Sequence, residues 1–214
     1  VTEEVTGLDL VQLQIQVAAG QSLAALALDP QAPPRTQGFS VQWRINAETL
    51  DAQGRARPSG GSLARFELPS GPGIRVDTHG YAGATPSPHY DTLLAKLIVR
   101  SRSNDFADVA RRSRRALAEC HIEGVATNLS LLQALAARPE FDSQQVHTRF
   151  VEAQLPELLA AAQSFDHRHT TQKIVNSDDG IKATASFGIE SQQDEGGLDA
   201  VRAPLEHARS VASR

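Results

Sequence analysis

The 214-residue chain has no methionine, one cysteine and few aromatic residues, which make up 5% of it. Because Cys120 is alone, the chain cannot form an internal disulfide, and this fits a reducing compartment. No apolar run approaches the roughly 20 residues that a membrane-spanning helix needs. We therefore expect a cytoplasmic protein with no membrane partner.

The chain also lacks an excess of basic charge, with 21 basic and 25 acidic residues and a net charge of −4. The basic cluster RRSRR at 111–115 is predicted to lie on the solvent face of an amphipathic helix, and no aromatic residues are interleaved with it. This balance does not indicate nucleic acid as a partner. The apolar content of 40% is enough for one sizeable core.

Periodicity predicts a mixture of helices and strands. Alternation and apolar runs indicate strands at 39–47, 63–68, 74–79 and 92–99. Stripes at helical spacing indicate helices at 3–18, 104–120, 128–137 and 147–163, the last bent at Pro156, whereas 51–61 has loop composition. We predict an α+β fold, with an antiparallel sheet or small barrel flanked by helices.

The ends of the sequence indicate a piece of a longer polypeptide. The chain starts at Val1 rather than methionine, directly with a predicted helix, and its last 50 residues are polar and weakly periodic. Residues 164–197 include VNSDDG and ESQQDEGG, the composition of a linker that we expect to be disordered.

The predicted strand at 74–79 carries the first candidate for chemistry. Arg75, Asp77 and His79 share one face, opposite Ile74 and Val76. An arginine offers several fixed donors to an oxyanion or a carboxylate. From the pattern alone, the favoured interpretation is a surface arginine paired with Asp77 or another nearby carboxylate.

Two glycines, Gly71 and Gly73, shortly precede Arg75 in the sequence. They allow the backbone to turn tightly and come close to a ligand. No metal site is predicted, since His79 and His89 are too widely spaced and have no companion cysteines.

Five blocks in a fixed order resemble one family, the C-terminal domain of biotin carboxylase. The likeness runs from residue 1 to about 160, although Gln-Trp stands in the second block where the family usually has Glu-Cys. The blocks are VTEEVTGLDLVQLQIQVAAGQSL, VQWRINAE, the SGPGIRVDTHGYAG segment with its H-x-Y-x-G, YDTLLAKLIV, and RRALAECHIEGVATNLSLLQALAARPEF.

The resemblance implies a role for Arg75 in an active site, where it would stabilise the enolate of biotin's ureido group. It also implies that a biotin-binding surface includes Gly71, Gly73, Asp77, His79 and Glu123, with Glu123 as an acidic residue of the IEGV turn. For Glu123, a surface carboxylate in a turn is the alternative.

The same resemblance implies the cofactors and partners of a complete enzyme. These are ATP with Mg²⁺, biotin on a carrier domain, a carboxyltransferase, and an upstream ATP-grasp domain. Family members commonly form homodimers through this domain, and we expect the strand at 95–101 to lie at that interface, with Lys96 as a sheet-edge or interface charge.

These implications give a domain assignment. Residues 1–163 form the biotin carboxylase C-terminal domain, 164–197 a linker, and 198–214 resemble the start of a biotin carrier domain, although no Ala-Met-Lys-Met follows. No glycine-rich phosphate loop is present, so we expect this chain alone to be inactive and to bind neither ATP nor Mg²⁺.

The predicted function is therefore part of an ATP-dependent biotin carboxylase, most consistent with an acyl-CoA carboxylase, with pyruvate or urea carboxylase as further options. Two hypotheses of other classes stay open. In the first, the chain is a truncated, non-catalytic remnant. In the second, it is a module that only docks biotin carrier domains.

Overall fold

The computed structural model describes residues 1–29, 31–87 and 89–169. All of them belong to one compact unit. The last helix extends to His169, past the predicted start of the linker. The rest of the linker and the carrier-like segment at 198–214 lie outside the described residues.

Strands and helices are intermixed along the described chain. The strands are β1 (Phe39–Asn46), β2 (Glu48–Leu50), β3 (Ala56–Pro58), β4 (Arg65–Glu67), β5 (Ile74–Thr78), β6 (Leu93–Ser101) and β7 (His121–Glu123). The helices are α1 (Thr2–Thr6), α2 (Leu10–Ala18), α3 (Phe106–Ala118), α4 (Leu129–Ala136), α5 (Pro139–Asp142), α6 (Phe150–Ala153) and α7 (Leu155–His169).

The strands form antiparallel sheets with the orders β1-β6-β5, β2-β3 and β4-β7. The α+β class is confirmed. Of the two arrangements that the sequence left open, the described strands adopt separate sheets rather than a closed barrel.

Strand β6 is the centre of the largest sheet, with β1 on one edge and β5 on the other. Leu97 and Val99 of β6 are fully buried on the core face, beside Trp43 and Ile45 of β1. This burial explains the nearly continuous apolar run of β6.

The central position of β6 corrects one expectation. Lys96 lies opposite Arg44 of β1 and Asp77 of β5, so the prediction of a sheet-edge charge is wrong. Because both backbone edges of residues 95–99 are already paired, a second copy cannot add to this part of the strand by edge pairing. The homodimer stays a prediction.

Helix α3 packs its predicted stripe against the core. Val109, Ala110, Ser113, Ala116 and Leu117 are buried, as the spacing indicated. Aromatic rings join α3 to its neighbours, with centroid distances of 5.4 Å for Phe39–Phe106, 5.5 Å for Phe106–Phe141 and 5.2 Å for Trp43–Phe141. Such ring pairs contribute about 0.5–1.5 kcal/mol each beyond their buried area.

The N-terminal segment is two helices and not the single helix predicted at 3–18. Gly7, with φ 75°, ends α1 in the left-handed conformation, and the Asp9 carboxylate accepts a hydrogen bond from the Gln12 N–H to begin α2. Helix α2 buries none of its residues, and Val11 and Ile15 are each 64% exposed.

Short strands were also missed. The predicted loop at 51–61 contains β3, which pairs with β2, and β7 forms where a turn was expected. Three-residue strands are too short for alternation to be visible in a sequence.

The helical pair near 147–163 is confirmed, but it is interrupted at Gln154. Pro156 lies in the first turn of α7, where a missing N–H costs little. Among the described residues, no helix has both the length and the apolar character to cross a bilayer.

Asn128 immediately precedes α4, but its side chain holds β1. Its Oδ1 accepts from the Asn46 N–H at 3.0 Å and its Nδ2 donates to the Arg44 carbonyl at 3.1 Å, with no side-chain capping bond to α4. The side chain therefore joins the start of α4 to β1, where the Arg44 carbonyl is 84 positions earlier in the sequence.

We expect Asn128→Ala to lower the free energy of unfolding by about 1–3 kcal/mol, because two backbone groups of β1 lose their partner. Asn104→Ala is the matched control, since Asn104 is exposed. Urea unfolding of both variants measures the difference. Equal stability of the two variants would contradict a bridging role for Asn128.

Candidate functional site

The loop before β5 is fixed by its glycines. Gly73, with φ 78°, accepts a 2.7 Å hydrogen bond from the Arg100 N–H, and a Cβ at this position would lie 2.5 Å from the Arg100 carbonyl oxygen. Gly71, with φ 124°, accepts from the Ile74 N–H at 3.1 Å, and a Cβ there would meet nothing within 4 Å. Gly73 is thus required by close backbone packing, whereas Gly71 faces open space.

Arg75 is held by carboxylates. Its Nε and Nη2 donate to the two carboxylate oxygens of Asp77 at 2.9 and 3.2 Å. Its Nη1 lies 3.4 Å from a carboxylate oxygen of Glu3 and 3.6 Å from one of Glu4, both on α1. Its side chain is 42% exposed. The hydrogen bonds to Asp77, followed by the charges of Asp77 and Glu3, raise the pKa of Arg75 above its usual value.

This arrangement is the surface ion pair that the pattern alone favoured. One guanidinium faces three carboxylates, so these four side chains together carry a net negative charge. The two carboxylates of α1 could not be assigned from the sequence, because nothing in it indicates that α1 comes within ion-pair distance of Arg75.

His79 and Glu123 are not members of this ion-pair cluster. His79 is exposed and follows the end of β5. Glu123 is in β7, directly opposite Arg65 of β4, and its carboxylate lies 3.5 Å from the Arg65 guanidinium. The structure therefore brings Arg75 and Asp77 together but places Glu123 in a different sheet.

Each arginine of the basic cluster at 111–115 pairs with a carboxylate. Arg111 and Arg112 both pair with Asp108, Arg114 with Asp142 at 2.6 Å, and Arg115 with Glu119 at 2.8 Å. These contacts agree with the interpretation as a solvated helix face.

Among residues 1–29, 31–87 and 89–169, no group of three or more His, Cys, Asp or Glu side chains is arranged to hold a metal ion.

A groove next to Arg75 was not predicted. It encloses about 560 Å³ and includes Arg75, Arg100, Arg102 and Arg112 in its lining, with Glu4 as its carboxylate. The VRSR run at 99–102 was the available sequence indication. It could not be used without the strand register that brings these arginines to β5.

Comparison with known proteins gives a consistent family. Residues 42–153 match the family model of the biotin carboxylase C-terminal domain. Pyruvate carboxylase of Pichia angusta is 40% identical over 178 residues, which is 82% of this chain and 14% of that protein. The chain thus spans about one seventh of this relative's length.

Two solved structures agree with this. The first is a single-chain, multi-domain long-chain acyl-CoA carboxylase, with 43% identity and a TM-score of 0.70 over 75% of this chain and 18% of that one. The second is the biotin carboxylase domain of a single-chain bacterial carboxylase, with 42% identity and a TM-score of 0.68 over 78% and 37% of the two chains.

The glycine loop generates a paired prediction. Gly73→Ala should destabilise the fold more than Gly71→Ala, since only the former adds a contact of 2.5 Å to a backbone oxygen on top of an unfavourable φ. Thermal unfolding of both variants measures this. An equal loss of stability would show that backbone strain alone, and not the approach to β6, requires glycine at residue 73.

Cys120 is fully buried, and burial raises the pKa of its thiol to about 12. The unfolded thiol loses its proton from about pH 8.5, so unfolding releases a proton above that pH, and the thiol's contribution to stability falls between there and about pH 12. We expect Cys120→Ala to have a shallower decline in unfolding free energy over this range, measured by urea titrations at several pH values. Identical slopes would contradict the raised pKa.

Proposed function

The chain belongs to the family of biotin carboxylase C-terminal domains, and we propose that it contributes Arg75 to the carboxylation of biotin in a larger carboxylase. The match over residues 42–153 carries this proposal. It is supported by the position of Arg75, partly exposed on the outer face of β5, the strand that follows the open backbone at Gly71.

The chemistry needs a fixed cation. The ureido nitrogen of biotin becomes nucleophilic only when its proton leaves, and negative charge then develops on the ureido oxygen. A guanidinium beside that oxygen stabilises the charge, most effectively when it is already held in place. The bidentate contact with Asp77 holds Arg75 in this way, so we assign Asp77 as a positioning residue.

The carboxylates of α1 need not block this role. Glu3 and Glu4 approach Arg75 Nη1 at 3.4 and 3.6 Å, whereas Asp77 occupies Nε and Nη2. Exposed ion pairs of this kind contribute only about 0–1 kcal/mol. The ureido oxygen would therefore replace Glu3 and Glu4 at Nη1 while Asp77 stays in place. His79 and Gly71 would border the ligand. Because Glu123 pairs with Arg65, it is the weakest of the proposed biotin contacts.

The described residues do not provide the site that catalysis with ATP and Mg²⁺ requires. No glycine-rich phosphate loop occurs in the sequence, and the described residues hold no cluster of metal ligands. Biotin fits better, since its ureido oxygen needs one cation and close backbone approach. We propose that an ATP-grasp domain supplies the nucleotide chemistry and that the exposed apolar residues of α2, including Val11 and Ile15, pack against it.

The other partners follow from the same proposal. A biotin carrier domain brings biotin to Arg75, and a carboxyltransferase receives the carboxyl group. We propose an acyl-CoA as the acceptor. The solved acyl-CoA carboxylase supports this, whereas the pyruvate carboxylase relative supports pyruvate as the second candidate.

A chimera tests the proposal. Residues 1–163 replace the corresponding segment of the single-chain bacterial biotin carboxylase domain, which is 42% identical in the compared region. We expect biotin-dependent ATP cleavage by the chimera, and a fall in kcat of roughly 100- to 1,000-fold on Arg75→Gln, as when one oxyanion-stabilising donor is removed. Arg57→Gln, on the separate β2-β3 sheet, removes the same charge as a control.

The outcomes separate the hypotheses. A folded chimera without activity would contradict the proposed function. If that chimera still binds a biotinylated carrier domain, the docking module is favoured instead. Equal activity of the Arg75 and Arg57 variants would contradict the role of Arg75 alone.

A further inference from the structure

The arginine groove, defined by Arg75, Arg100, Arg102 and Arg112, lies at the junction of β5, β6 and α3. Its space of about 560 Å³ is within the range of small-molecule sites. The loop residues Pro72 and Gly73 complete one wall, and Glu4 contributes the carboxylate of the lining.

Strand register brings the arginines together. Arg75 lies opposite Ile98, and Arg100 is two residues further along β6, so both side chains are on the outer face of the sheet. Arg102 is in the turn after β6, and Arg112 reaches the groove from α3. Residues from three elements therefore converge on one space.

The charges in this groove are unequally compensated. Arg75 has Asp77, Glu3 and Glu4 within ion-pair distance, and Arg112 shares Asp108 with Arg111. No carboxylate within the described parts of the chain pairs with Arg100 or Arg102. Arg75 and Arg112 thus have carboxylate partners, whereas Arg100 and Arg102 have none among the described residues.

Two neighbouring buried polar atoms lack a partner, one on Arg100, which lines the groove, and one on Ser40, which does not line it. Arg100 Nε is buried and has no hydrogen-bond acceptor among the described residues, and the Ser40 hydroxyl is in the same condition. These two residues are directly opposite each other in the sheet. Buried donors without acceptors are uncommon because each costs desolvation free energy, and a bound anion or water satisfies them.

We propose that the arginine groove binds the phosphate group of a small molecule, through Arg100, Arg102 and Arg112. Guanidinium groups form bidentate hydrogen bonds with phosphate oxygens, and several of them around one space suit a dianion. The volume admits more than a bare phosphate, so the group could belong to inorganic phosphate or to a phosphate ester. This site does not depend on the proposed carboxylation, since it needs none of the charge of Arg75.

Isothermal titration of the full 214-residue chain with inorganic phosphate and, separately, with ADP tests the proposal at low ionic strength. We expect saturable binding of one equivalent of at least one probe. Arg102→Gln and Arg100→Gln should each weaken it by about tenfold or more, since hydrogen bonds to charged groups contribute about 1.5–3 kcal/mol. Arg57→Gln removes the same charge elsewhere and should leave the affinity within about twofold.

Each outcome decides the matter. Binding that falls only in the groove variants supports the site, and tighter binding of ADP than of phosphate identifies a phosphate ester as the ligand. Absence of binding, or an equal loss in Arg57→Gln, overturns the proposal. Arg102 is in an exposed turn, so its variant should keep the wild-type unfolding midpoint and remains informative if Arg100→Gln fails to fold.

Discussion

Burial of β6 between β1 and β5 is the constraint on which the other features depend. Its Leu97 and Val99 form the centre of the core, and its two ladders fix which residues of the neighbouring strands share a face. A shift of one residue in the β5–β6 ladder would turn Ile74 and Val76 outward and Arg75 inward, so the core and the candidate site are set by the same register. The aromatic cluster and the Asn128 bridge then attach the helices to this sheet.

The outer face of the sheet holds two electrostatic environments a few residues apart. Around Arg75, three carboxylates surround one guanidinium, and the cation is oriented by Asp77. Arg100 and Arg102 have no such carboxylate partners in the part of the chain that the structure describes. A face divided in this way suits two different ligands, a neutral group that develops negative charge during a reaction and an anion that is charged from the start.

Sequence reasoning succeeded where local pattern and burial agree. The alternation of β1, the apolar run of β6 and the stripe of α3 all correspond to real faces of the core. It failed where structure depends on partners distant in the chain. Strands β3 and β7 are three residues long and exist because β2 and β4 pair with them. Helix 3–18 was predicted as one piece because periodicity continued across Gly7 and Asp9, although both residues favour a boundary.

The sequence by itself determined the α+β class, the family resemblance, the face that Arg75 shares with Asp77, and the absence of any phosphate loop. These properties depend on residue identity and short spacings, which are local. Only the tertiary structure decided that Glu3 and Glu4 approach Arg75, that Glu123 belongs to another sheet, and that Arg100, Arg102 and Arg112 line a common groove. Side chains from separate elements meet only through strand register and helix packing, which depend on burial over the whole domain and not on any one segment.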